Sequence, residues 1–239
     1  MKHSDRDRIR TNVIGLDERI GGGVPEGSVV LVAGPSGSMK STLVFNMLYN
    51  AVTVDKRKAM YISFEQSDDE LKAQMRQLGM DADTANGLNI VDLSDFRKEI
   101  KQEEDTMDWM GSFVTLSDRY KKEEGCDIMA IDSLDALYSL LNMQNPRKQL
   151  FHFFRELKGL GMTTVLISEM PRESEAFGRY GVEEFLSDVI FHLQIRSVDM
   201  GRSTSVRRFI GVAKMRRSNH DMDYYPFLVT GNKMEIITE

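Results

Sequence analysis

The run Ser28-Val29-Val30-Leu31-Val32-Ala33, followed at once by Gly34-Pro35-Ser36-Gly37-Ser38-Met39-Lys40-Ser41, constrains this chain more than any other part of it. A continuous apolar, β-branched run has the pattern of a strand buried on both faces, as in a parallel sheet. Beyond the loop, Leu43, Val44, Met47, Leu48 and Ala51 recur at helical spacing across residues 40–54. A glycine- and serine-rich loop between such a strand and such a helix turns backbone N–H groups and the positive end of a helix dipole toward one point, a cradle for anions. In this phosphate-loop context Lys40 is expected to reach the β- and γ-phosphates of a nucleotide, and the Ser41 hydroxyl to ligate Mg²⁺. The expected binding segment is Gly34, Pro35, Ser36, Gly37, Ser38, Met39, Lys40, Ser41 and Thr42. The usual pattern has glycine before the lysine, and here Met39 takes its place. A side chain there restricts the loop's dihedrals or crowds the phosphates, so a decayed loop is the competing reading.

The remainder repeats a strand and helix rhythm. Residues 59–64, 88–91, 127–131 and 163–168 read as strands, and 146–159 as an amphipathic helix. Residues 67–79 read as a helix opening on Ser67 with Glu70 three places on, a capping-box pattern. Residues 95–124 are charged and mostly helical, with Trp109, Met110, Phe113 and Leu116 as an apolar face. Alternating strands and helices predict an α/β fold with a mainly parallel central sheet covered on both faces. After Phe185 the pattern changes. Residues 189–195, 207–215, 227–229 and 234–237 read as strands without intervening helices, an antiparallel C-terminal extension over about 186–239. No repeat or linker interrupts the chain, so one domain over 1–239 is expected, with the polar residues 1–10 flexible.

Composition excludes several classes. No stretch approaches the apolar length of a membrane helix. Cys126 is the lone cysteine and the four histidines are scattered, so neither a disulfide nor a thiolate or histidine metal site is expected. These features predict a reduced, cytoplasmic protein with no membrane partner. The net charge is −6, yet seven basic residues between Arg196 and Arg217 face a single acid, Asp199. Such a segment can contact phosphates, although a solvated hairpin is the plainer reading.

Two acids stand at strand ends. Asp132 closes the apolar run Asp127-Ile128-Met129-Ala130-Ile131 and can hold Mg²⁺, with Ser133 and Asp135 starting the next helix. Glu65 ends the strand Tyr61-Ile62-Ser63-Phe64 and faces the ligand crevice of a parallel sheet, where it could deprotonate an attacking water. A helix-capping role is the alternative for Glu65.

Taken together, these segments resemble the KaiC-like branch of the RecA superfamily of ATPases, from residue 11 to residue 237. Gly15-Leu16-Asp17 with Gly21-Gly22-Gly23-Val24-Pro25-Glu26-Gly27 is similar to the family's entry segment. Tyr61-Ile62-Ser63-Phe64-Glu65 resembles the strand bearing the catalytic glutamate, with Gln66 where a second acid often stands. Asp132 matches the Walker B aspartate, and residues 163–169 the sensor strand. Residues 181–188 lead into the C-terminal strands, and residues 207–227 resemble the closing motif. The resemblance implies a RecA-type core and slow hydrolysis of ATP with Mg²⁺. It also implies a homo-oligomer, a filament or a ring such as a hexamer, with nucleotide held between subunits. Lys214 and Arg216 match the basic pair that reaches the neighbour's γ-phosphate; their spacing also fits a charged, solvated strand edge, and the resemblance favours the role in trans. An unidentified protein partner is expected. Two other functions stay open: a nucleotide-binding regulator with negligible turnover, and a recombination accessory protein binding single-stranded DNA. The latter rests on the basic segment and on residues 170–180, where Arg172, Phe177 and Arg179 interleave cations with an aromatic.

Overall fold

The computed structural model describes residues 8–100, 108–141, 143–170, 176–199 and 204–238. The six residues Val29–Gly34 form β3, all buried. Around β3 a nine-stranded sheet is ordered β11-β10-β9-β8-β3-β7-β6-β4-β5. Its other strands are β4 (Ala59–Ser63), β5 (Leu88–Asp92), β6 (Ile128–Asp132), β7 (Thr163–Glu169), β8 (Val189–Asp199), β9 (Thr204–Met215), β10 (Tyr224–Thr230) and β11 (Lys233–Ile236). Strands β8, β3, β7, β6, β4 and β5 run parallel. The expected antiparallel extension therefore begins with the β8–β9 pair, not with β8 itself, which joins β3 in parallel.

Strand alternation sorts the core into two layers. Val30, Val32, Ala59, Tyr61, Ile128, Ala130, Val165 and Ile167 pack on one face beneath α2 (Lys40–Thr53) and α3 (Asp68–Gln77). Val29, Leu31, Met60, Ile62, Met129, Ile131 and Leu166 point the other way, toward α5 (Trp109–Arg119), α6 (Leu134–Ser139) and α7 (Pro146–Gly159). Phe96 of α4 (Leu93–Ile100) stacks on Trp109 in that second layer. The expected helical stretch 95–124 is thus two helices in the described residues, ending in a wider turn at Tyr120–Glu124. Among the described residues, no helix is long and apolar enough to cross a membrane.

The N-terminal segment is tied to the sheet's flank. Arg8–Ile9 (β1) pairs with Val24–Pro25 (β2), with the short helix α1 (Leu16–Arg19) between them. Of the segment expected to be flexible, residues 1–7 lie outside the described residues, whereas Ile9 is buried. The Asp17 carboxylate accepts from the Thr11 N–H and hydroxyl, both at 2.8 Å, and so anchors this turn.

Strands β8 and β9 continue pairing well past the end of β3, out to Asp199↔Thr204. On one face of this hairpin the Arg196 guanidinium packs over Phe209 and Tyr224, at 4.9 and 5.1 Å from the ring centroids. Beside it, Tyr224 Oη lies 2.7 Å from His192 Nδ1, and burial followed by the Arg196 charge pushes the imidazole down to about 4. The unfolded chain binds this proton below pH 6.5, the native chain only near pH 4. Stability contributed by the neutral ring is therefore present above pH 6.5 and is lost as pH falls toward 4. Replacing His192 by Gln should flatten the fall of the urea midpoint between pH 6.5 and 4, carboxylate effects being common to both proteins. Identical slopes would show an imidazole that titrates normally.

Candidate functional site

Parallel strands place their carboxyl ends at one edge of a sheet, where chain leaving adjacent strands forms a crevice. Here that crevice is a cleft of about 220 Å³ lined by Ser36, Gly37, Met39, Lys40, Ser41, Thr42, Glu65, Gln74, Asp132, Ser133, Ile167 and Glu169.

Its floor is the start of α2. Helices α3, α5, α6 and α7 each begin on a side-chain cap, from Ser67, Asp108, Ser133 and Asn145. Helix α2 has none, and no acid lies in its first turn. Its leading N–H groups are thus left for an outside acceptor, and the dipole favours an anion there. The residue before it, Met39, has φ 76° and ψ 29°, the left-handed region that glycine enters without cost. The loop reaches the glycine-like conformation despite its side chain, which is half-buried against the α2 layer and also borders the cleft.

Other loop residues set its shape instead of lining the cleft. The Pro35 carbonyl accepts from Ser38 Oγ at 2.7 Å and Lys40 Nζ at 3.1 Å. A Cβ on Gly34 would lie 2.6 Å from the Leu193 carbonyl oxygen, so β8 can pack this closely only against glycine. Arg208 of β9 adds a cation on the outer side, its Nε donating to the Gly37 carbonyl at 3.0 Å.

Lys40 is 7% exposed, and burial lowers its pKa; the carboxylates of Glu169, Asp132, Glu65 and Asp135 act in the opposite sense. Its Nζ lies 3.9 Å from Glu169 Oε1. Asp132 shares strand parity with Ile128 and Ala130 and so points to the α2 face, where it meets Ser41. Burial raises the Asp132 pKa, while hydrogen bonds from Tyr61 and Ser41 favour its ionised form and nearby Glu65 opposes it. Glu65 is exposed just past β4 and accepts a hydrogen bond from the Ser133 hydroxyl. Ser133 also caps α6, accepting from the Ala136 N–H at 3.2 Å, so one hydroxyl links the Glu65 carboxylate to the helix that follows Asp132. The Asp132–Ser133 peptide is cis. Asp135 accepts from the Glu169 N–H at 2.7 Å and ties β7 to the same helix.

A hard, oxygen-seeking cation fits this donor set. Ser41 and Asp132 offer a hydroxyl and a carboxylate side by side, and the buried carboxylate has only Lys40 near it as a cation among its main influences. Among the described residues, no group of three or more His, Cys, Asp or Glu could hold a metal by itself, so the remaining ligands would come from phosphate and water.

Lys214 and Arg216 lie elsewhere. Lys214 stands opposite Ile190, which pairs with Leu31 of β3, so it is about 10 Å back along the strands from Gly34 and about 10 Å across them. Both cations reach the segment around α8 (Glu183–Leu186): Lys214 Nζ donates to Glu184 O at 2.6 Å, and Arg216 to Phe185 O at 3.2 Å and to Asp188 at 3.3 Å. Burial, then Arg216, lowers the Lys214 pKa. The fold does not bring this pair to its own cleft. Of the loop considered as a DNA-facing element, Arg172 lies outside the described residues; Phe177 packs against the His192 ring and Tyr180 against Tyr138.

Tyr61, Ser133, Glu169, Gln74 and Arg208 are the contributors that sequence reasoning did not assign to the site. Tyr61 was signalled by its position, two residues before the end of a buried strand.

A family model described as "ATPase: KaiC" matches residues 9–239. The chain is 29% identical over 236 residues to the circadian clock oscillator protein KaiC of Rippkaea orientalis, covering 96% of this chain and 44% of that protein. It is 28% identical over 242 residues to the protein of the same name from Synechococcus elongatus, covering 98% and 45%. The chain thus spans less than half the length of these relatives. A crystal structure of a KaiC-like protein from the archaeon Pyrococcus horikoshii OT3 superposes with a TM-score of 0.82 at 25% identity, covering 97% of this chain and 99% of that one.

The conformation of Met39 is open to direct measurement. Met39→Gly and Met39→Ala lose the same packing and differ in the left-handed penalty, so the glycine variant should be the more stable by about 1 kcal/mol in urea unfolding. An alanine variant of equal or greater stability would mean that residue 39 is not left-handed.

Proposed function

The chain belongs to the KaiC family of ATPases, and on that footing we propose that it binds Mg·ATP in the cleft and hydrolyses it slowly between copies of itself. Turnover would control its assembly or its hold on a protein partner. The carrying observation is the convergence of Lys40, Ser41, Glu65 and Asp132 around the start of α2, a long helix that lacks the side-chain cap α3, α5 and α7 have. A cleft of about 220 Å³ suits a polyphosphate, below the roughly 300–1,000 Å³ of a pocket enclosing a whole drug-sized ligand. Ribose and base therefore extend outside it, toward a second copy.

In this reading the α2 N–H groups and Lys40 grip the phosphates. Ser41 and Asp132 would hold Mg²⁺, which would supply positive charge to offset that of the phosphate oxygens. Glu65, steadied by Ser133, orients a water and takes its proton as the oxygen bonds the γ-phosphorus and the bond to the β-phosphate oxygen breaks. Lys214 and Arg216 of a second copy supply the cations that meet the transition-state charge. Their distance from their own cleft supports a role in trans.

Binding without turnover is the second reading, favoured by Met39 in the loop and Gln66 beside Glu65. Phosphate release separates the two. Glu65→Gln should release phosphate about 100-fold more slowly or worse while still binding Mg·ATP. Equal rates in variant and wild type, or none in either, would remove hydrolysis; binding retained without any turnover selects the regulator. Gel filtration should show a larger species with Mg·ATP than without it. Unchanged size would argue against a shared site.

A further inference from the structure

Gln74 lines the cleft and is paired with Gln66, and the reaction above uses neither amide. Gln66 follows Glu65, and its backbone is fixed by Ser63, whose Oγ donates to Gln66 O at 2.7 Å and accepts from Gln66 N at 3.0 Å. Gln74 lines the cleft from α3, a helix locked by its capping box and by buried Leu71 and Met75. Gln66 Nε2 donates to Gln74 Oε1 at 2.9 Å. A carboxamide has one acceptor oxygen and two N–H donors, so engaging the oxygen leaves the Gln74 amide nitrogen as the group free to donate. Gln74 borders a cleft whose acids are Glu65, Asp132 and Glu169 and whose one lining cation is Lys40. Gln66 adjoins Glu65 in the chain, which puts the amide pair on the side of the water-activating carboxylate.

We propose that Gln74, oriented by Gln66, donates a hydrogen bond to the terminal phosphate of a bound nucleoside triphosphate, so that the amide pair discriminates triphosphate from diphosphate. The proposal rests on the cleft being the nucleotide site. Gln66 is a positioning residue here, and its chemistry matters. A carboxylate at 66 accepts only, so it would draw in the Gln74 N–H and turn the Gln74 oxygen toward the phosphate, which repels it.

Calorimetric titration of the full chain with Mg·AMP-PNP and with Mg·ADP tests this, using wild type, Gln74→Leu, Gln66→Glu and Lys40→Ala. Both glutamines are at least partly exposed, and thermal melts verify that the variants fold. Gln74→Leu should weaken AMP-PNP about tenfold and leave ADP within about twofold, the size expected for one hydrogen bond to a charged group. Gln66→Glu should shift AMP-PNP in the same direction, and Lys40→Ala should weaken both ligands. If Gln74→Leu changes neither ligand, or both equally, the amide proposal falls while the nucleotide site stands. If wild type binds neither ligand, the nucleotide site falls and the amide proposal with it.

Discussion

The unpaired N–H groups at the start of α2 are the constraint from which the rest of this molecule follows. A helix end buried at the rim of a sheet needs partners for these donors. Every other long helix whose start is described obtains them from its own side chains, and α2 does not. The loop before it is shaped so that no described residue fills the space: Pro35 gathers Ser38 and Lys40 beneath, and Gly34 lets β8 close in from the side. The helix is held by packing in the α2 layer, not by a cap, so its leading end is free to act on a ligand.

Around that end, charge is arranged with little slack. Lys40 loses hydration on burial and faces Glu169, Asp132 and Glu65, while Asp132 is buried with hydrogen bonds from Tyr61 and Ser41. Each group is destabilised in its charged form by burial and sustained by its neighbours, an arrangement that a polyphosphate and a divalent cation would complete together.

Much of this was legible in the sequence because it is local. The β-branched runs gave the buried strands, Ser67 with Glu70 gave a capped helix, and the loop beside Lys40 and Ser41 marked the strand-to-helix junction. What escaped notice depends on sheet order. Strand β4 lies next to β6 although the segments are far apart in the chain, and only that neighbourhood lets Ser133 reach Glu65 and Tyr61 reach Asp132. Parallel pairing of β8 with β3 is likewise absent from any local pattern. The length of the β8–β9 hairpin was underestimated for a different reason: past Ile195 the ladder continues through exposed residues such as Arg196 and Ser197, so the apolar alternation fades while the hydrogen bonds persist.

The separation of Lys214 and Arg216 from the cleft bears on symmetry. Under the proposed role each copy offers a socket on one side and a plug on another, two unlike surfaces. A twofold dimer joins socket to plug only where both lie within one self-complementary patch, so that each enters its counterpart at once; surfaces on different sides share no such patch. Copies would instead add head to tail, and the rotation between successive copies alone would decide whether the chain of subunits closes on itself or grows without end.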